Sequence, residues 1–206
     1  MNIYNLDPEI IVVEDVLSAE DLKSLQECAN DPYGWDVYNS DIAGTHWEGN
    51  QKFLTQDKDQ KYIDIMGKVI RSIDSIVGHK GLLSGVSIIQ RFTDVKKGDP
   101  NITFTSGQLA YFDDQGVEWS MGPHADNVYD MVTKSFVSPV VAGVVFYIND
   151  DYEGGEIVYV NKGITHKPKA NSFVCHPAFE EYKHGVLKVK NGTRYILSTF
   201  IKNNEQ

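Results

Sequence analysis

Apolar positions recur along this chain in two rhythms. In "DKDQKYIDIMGKVIRSIDSIVGH" the residues Tyr62, Met66, Val69, Ile70, Ile73, Ile76 and Val77 are spaced by three and four, which is the period of one helix face. The pattern predicts a helix of about five turns whose apolar stripe packs on a sheet. Upstream, "EIIVVEDVL" is a β-branched run that predicts a strand, and "SAED" follows it with Ser18 as N-cap and Asp21 three residues on. A second helix is therefore predicted from roughly Ser18 to Asn30, ended by "NDPYG". From Gly85 onward the rhythm shortens. The runs "GVSIIQRF", "GQLAYF", "VVAGVVFYI", "GEIVYV", "NSFVCH", "HGVLKV" and "RYILSTFI" are separated by Gly, Asp, Asn and Pro, as in a succession of short strands. So many strands in so little chain predict a sandwich or barrel, with the helices buttressing one face. No internal repeat or low-complexity linker divides the 206 residues, so a single domain is expected over 1–206, with a helical buttress about 1–84 and a β core about 85–202.

Composition narrows the partners. The 29 acidic and 19 basic residues give a formal charge of -10, so a phosphate backbone would be repelled and no nucleic-acid partner is expected. Cys28 and Cys175 show no CxxC spacing, which fits neither a disulfide framework nor a zinc knuckle and agrees with a reducing compartment. The longest apolar run, "VVAGVVFYI", is far short of the roughly 20 residues a membrane helix needs. "MNIYNLDPEI" lacks the character of a signal peptide. No membrane partner and a cytoplasmic location are expected.

The chemistry concentrates at "MGPHADNVYD". In extended chain, residues two apart point to one side, so His124 and Asp126 would aim an imidazole and a carboxylate into a shared volume. A metal needs a third ligand, and two histidines with one carboxylate leave open positions on iron. The remaining histidines are His46, His79, His166, His176 and His184. His184 is favoured because it opens a β-rich run in which Arg194 stands ten residues later; a buried guanidinium there would grip a dicarboxylate through paired, charge-assisted bonds. The other four histidines are read as ordinary polar or partly buried residues. Asp150, Asp151, Glu153 and Glu156 lack the ligand spacing of a calcium loop, and with Gly154 and Gly155 among them they read as a hairpin turn.

The ordered set of His124-Ala-Asp126, His184 58 residues after the aspartate, and Arg194 ten after that resembles the iron and 2-oxoglutarate dependent dioxygenases, within them the prolyl 4-hydroxylase-like branch. "VVFYINDDYEGGEIVYV", "GQLAYFDDQGVEWSMGPHAD" and "IIVVEDVLSAEDLKSL" are similar to further stretches of that family, whereas the connection between "IIQRF" and "HAD" is longer and more polar than its pattern. The resemblance implies an α+β, mainly β fold, a double-stranded β-helix (jelly-roll, cupin-like) core buttressed by N-terminal helices. It implies His124, Asp126 and His184 as ligands of Fe(II), Arg194 and Tyr147 on the distal carboxylate of 2-oxoglutarate, and Tyr111 facing the cosubstrate near the metal. It also implies O2 as co-reactant, ascorbate as a supporting reductant, and a peptide or protein substrate containing proline. Alternatives are a hydroxylase of another protein side chain or of a small molecule, a nucleic-acid demethylase, and a non-catalytic β-barrel binding module; the complete triad counts against the last and the -10 charge against the demethylase. Oligomeric state is left open.

Overall fold

Two sheets face each other, and two helices cover the far side of the larger one. The computed structural model describes the backbone of residues 1–42, 45–78, 82–84, 88–93, 111–112, 116–127, 129–130, 135–136 and 140–202, and the side chains of 1–35, 51–78, 88–93, 116–127 and 140–202. The elements begin with β1 (Asn2–Asp7), β2 (Ile10–Glu14), α1 (Ala19–Asn30), β3 (Trp35–Ile42), β4 (Thr45–Phe53) and α2 (Gln56–Val77). Then come β5 (Leu82–Ser84), β6 (Ile88–Thr93), β7 (Tyr111–Phe112), β8 (Glu118–His124), β9 (Tyr129–Asp130), β10 (Ser135–Phe136) and β11 (Val140–Tyr147). The chain closes with β12 (Glu153–Gly154), β13 (Ile157–Tyr159), β14 (Ile164–His166), β15 (Ser172–Pro177), β16 (His184–Leu187), β17 (Val189–Lys190) and β18 (Thr193–Lys202).

The larger sheet runs β1-β2-β15-β11-β18-β6-β4-β3, with β5 on β18, and the smaller runs β14-β13-β16-β8-β7. Every pairing that joins these strands is antiparallel. This mostly β architecture is the jelly-roll, double-stranded β-helix core that was expected. The first 84 residues, however, do more than buttress it. β1 to β4 extend the larger sheet at both ends. The polar segment "WDVYNSDI" has no apolar alternation, so its ladder with β4 left no hydrophobic signal to read.

The helices form where expected and for the expected reasons. The Ser18 hydroxyl accepts from the Asp21 backbone N–H at the start of α1. Gly78, at φ 67, ends α2 in the left-handed cap that glycine adopts without strain. Ile65, Met66, Val69 and Ile73 of α2 are buried, together with Leu25, Cys28 and Ala29 of α1, against Val144, Phe146, Phe173, Cys175, Leu197 and Ile201 of the larger sheet. Each fully buried aliphatic side chain contributes about 1.5 to 3 kcal/mol.

The strands β11, β15 and β18 are covered on both sides, which is why they read as near-continuous apolar runs. Their alternate residues Tyr147, Val174 and Ile196 point the other way, into a second core with Tyr152, Ile157, Tyr159, Tyr182 and Val189. That inter-sheet space holds the site. No helix among the described residues is long and apolar enough to cross a membrane. The segment 94–110, part of the long connection, and all of His79 lie outside the described residues, as do the side chains of Tyr111 and His46.

Candidate metal centre and carboxylate pocket

His124 ends β8 and His184 opens β16, and the two are cross-strand partners in the smaller sheet. Direct opposition brings side chains together, and the two rings stand 4.7 Å apart between centroids. Asp126 arrives differently from the strand alternation expected of it. It sits in a bend just past β8, and the neighbouring Asn127 N–H donates to the Ala178 carbonyl at 2.8 Å, which ties the bend to the end of β15.

The result is convergence. One ligand atom from each of His124, Asp126 and His184 lies within 4.8 Å of the others, an arrangement able to hold a metal ion. Asp126 Oδ1 is 3.5 Å from His124 Nε2 and 4.0 Å from His184 Nε2. Both rings face the site with the same nitrogen. His124 Nδ1 donates to the Gly122 carbonyl at 2.9 Å and His184 Nδ1 to the Tyr182 carbonyl at 3.1 Å. Each of these bonds leaves Nε2 as the free donor atom for a metal.

Electrostatics agree with that role. Burial pushes His184 well below the usual imidazole range, reinforced by the neighbouring His176, so it stays neutral. Burial alone would raise the Asp126 carboxyl, but the imidazoles around it, with bonds from His124 and His176, hold it well below the usual carboxylate range. His124 is raised: burial opposes its protonation, and the bond and charge of Asp126 outweigh it.

A second feature lies on the same inner face. Arg194 is only 2% exposed, with its guanidinium carbon 5.1 Å from the Phe92 ring centroid and 5.2 Å from that of Tyr147. Its Nε and Nη1 are buried and without a hydrogen-bond partner, as are the hydroxyls of Tyr147 and Tyr152. Two buried guanidinium nitrogens with no acceptor are costly. These orphaned donors together fit an anionic oxygen group, a carboxylate above all. Burial pushes the Tyr152 hydroxyl up to about 12, which keeps it a donor. Tyr152 belongs to the acidic turn, where Gly154 (φ 67) and Gly155 (φ 69) are both left-handed. Lys167 donates to the Tyr152 carbonyl at 3.1 Å and also to that of Gly154, pinning the turn.

Sequence reasoning left His176, Tyr152, Tyr159 and Gly143 without a role. His176 is 1% exposed and its Nε2 lies 3.1 Å from Asp126 Oδ2, while the Tyr159 hydroxyl lies 2.9 Å from its Nδ1. The one available signal was a histidine inside the apolar run "NSFVCH", a polar residue on a strand covered on both sides. His166, by contrast, stays apart from this cluster, on β14 beside Tyr4.

A jelly roll with two histidines and one carboxylate converging inside it defines the class of non-haem iron oxygenases. Residues 107–202 match the model of the 2OG-Fe(II) oxygenase superfamily. That superfamily uses Fe(II), 2-oxoglutarate and O2, and the cluster of His124, Asp126 and His184 is able to hold a metal ion. A search of curated proteins finds no match to the sequence. Among solved structures, the viral collagen prolyl hydroxylase of Paramecium Bursaria Chlorella virus-1 in its 2OG complex is similar at 15% identity and a TM-score of 0.58, over 94% of this chain and 96% of that one. A Pseudomonas putida prolyl-4-hydroxylase is similar at 13% identity and a TM-score of 0.60, over 95% and 93%. A Trichoplax adhaerens prolyl hydroxylase in complex with a hypoxia inducible factor oxygen degradation domain peptide is similar at 10% identity and a TM-score of 0.58, over 96% and 84%. At these identities the likeness is one of fold.

Proposed function

We propose that this 2-oxoglutarate-dependent oxygenase hydroxylates proline in a peptide or protein substrate. His124, Asp126 and His184 would hold the iron, and Arg194 with Tyr147 and Tyr152 the distal carboxylate of 2-oxoglutarate. The observation that carries the metal assignment is the meeting of two free Nε2 atoms and one carboxylate oxygen at a buried point. Iron, when bound, supplies the redox chemistry by which 2-oxoglutarate, O2 and a substrate C–H become succinate, carbon dioxide and C–OH. The chain's own share is positional. The two imidazoles and Asp126 would hold the ion, with cosubstrate and oxygen as its further ligands, and the Arg194 guanidinium would orient the cosubstrate from its far end.

A proline substrate is supported by the three similar folds, each a prolyl hydroxylase, and the acidic charge favours a protein or peptide over nucleic acid. The test is mass spectrometry of proline-containing peptides incubated with the protein, iron, 2-oxoglutarate and ascorbate, with a gain of one oxygen on proline expected. Succinate formation in the same assay should depend on iron and disappear in Asp126→Ala. Unchanged succinate output from that variant refutes the metal assignment. Succinate release together with oxidation of something other than proline refutes the substrate alone.

A further inference from the structure

Asp126 uses its two oxygens differently. Oδ1 faces the Nε2 atoms of His124 and His184 at 3.5 and 4.0 Å. Oδ2 turns to the larger sheet, where His176 Nε2 stands 3.1 Å away. A carboxylate only accepts, so that nitrogen carries a proton, and in the neutral ring Nδ1 is left to accept from the Tyr159 hydroxyl at 2.9 Å. In that state the bonds run in one direction, from Tyr159 to His176 to Asp126.

The larger sheet also makes room for this arrangement. His176 on β15 is the cross-strand partner of Gly143 on β11. A Cβ added at Gly143 would lie 2.1 Å from Asp126 Oδ2 and 2.8 Å from His176 Nε2. Any side chain at this position collides with the bond itself.

We infer that His176, oriented by Tyr159 and seated over the bare Gly143, is the positioning residue that locks Asp126 as a one-oxygen metal ligand. The inference rests on the iron-site reading above and adds to it a device on the opposite sheet. With Oδ2 engaged, the carboxylate gives the metal one oxygen and cannot swing to give two. The coordination positions needed by 2-oxoglutarate and oxygen therefore stay open. Partners of this kind, one bond removed from a metal, typically change its affinity about 10- to 100-fold.

The experiment compares the full chain with His176→Phe, which keeps a ring but loses the donor, and His176→Gln, whose side-chain amide restores an N–H near the position of Nε2. Tyr159→Phe removes only the hydroxyl. Fe(II) affinity is measured by anaerobic titration, and the visible bands of bound Co(II) report coordination number, which a purely structural role of His176 would not move. His176→Phe is expected to bind Fe(II) about 10-fold or more weakly and to alter the Co(II) bands, with His176→Gln recovering most of both. Tyr159→Phe should fall between wild type and His176→Phe, and it keeps the test alive if His176→Phe does not fold. Wild-type affinity and spectrum in His176→Phe, or equal losses in the Phe and Gln variants, overturn the inference while leaving the iron reading intact. A wild-type chain that binds no Fe(II) sinks the iron reading first.

Discussion

At the scale of single residues, Arg194 carries the sharpest demand. Its Nε and Nη1 are buried without an acceptor beside two equally unsatisfied tyrosine hydroxyls. Breaking a buried charge contact typically costs about 3 to 5 kcal/mol. Arg194→Ala should therefore raise the 2-oxoglutarate requirement by at least about a hundredfold with Fe(II) affinity near wild type. Arg194→Lys should be milder, since lysine keeps the charge and loses the fork. Titration with oxalylglycine, which mimics the same distal carboxylate, checks the point: an unchanged affinity in Arg194→Ala would place the carboxylate elsewhere.

At the scale of elements, the turn between β12 and β13 holds the Arg194 stem. Gly155 is left-handed at φ 69, and an added Cβ would meet Tyr152 Cε2 at 2.7 Å and Arg194 Cδ at 3.2 Å. A non-glycine residue in this conformation costs about 1 to 2 kcal/mol. Gly155→Ala is expected to lose about that much stability and to raise the 2-oxoglutarate KM, because relief of the clash displaces Tyr152 or Arg194. Denaturant unfolding and cosubstrate kinetics on one preparation test both halves; a variant with lowered stability and wild-type KM would separate the turn from the pocket. The smaller sheet works in the same way on the metal side, since the register that opposes His124 and His184 is what makes neighbours of residues 60 positions apart.

At the scale of the whole molecule, the donor set exists only when both sheets are assembled. The two histidines stand on the smaller sheet, while Asp126 leans on His176 and Gly143 of the larger. A metal that binds this assembly and not the unfolded chain stabilises it by about 2.7 kcal/mol at a hundredfold excess over its Kd. Mn(II) should accordingly raise the thermal midpoint by roughly 5 to 10 °C in wild type, and by almost nothing in Asp126→Ala. The increment should also depend on pH. Burial disfavours a proton on His124, but its bond to Asp126 prevails and raises the group above its usual 6.5. Metal must displace that proton, so the gain shrinks as pH falls through the raised value. Scanning calorimetry with and without Mn(II) at several pH values measures the effect; an increment independent of pH would remove His124 from the ligand set.

What the sequence determined by itself was local or periodic. The apolar stripe of α2, the Ser18 cap and the β-branched runs follow from spacing within a few residues. The order of His124, Asp126, His184 and Arg194 also carried the resemblance to the superfamily. Tertiary structure decided the rest. The polar strands β3 and β4 became part of the sheet through ladder bonds that leave no hydrophobic pattern. The bend that delivers Asp126 depends on a carbonyl some 50 residues away. His176 and Gly143 look like any histidine and glycine in an apolar run, and the partner that gives each its task, one carboxylate oxygen, reaches them from the opposite side of the inter-sheet space. Spacing along a chain records which faces will be apolar; which polar atoms meet between two sheets is set by register and packing, and those are settled only when the strands pair.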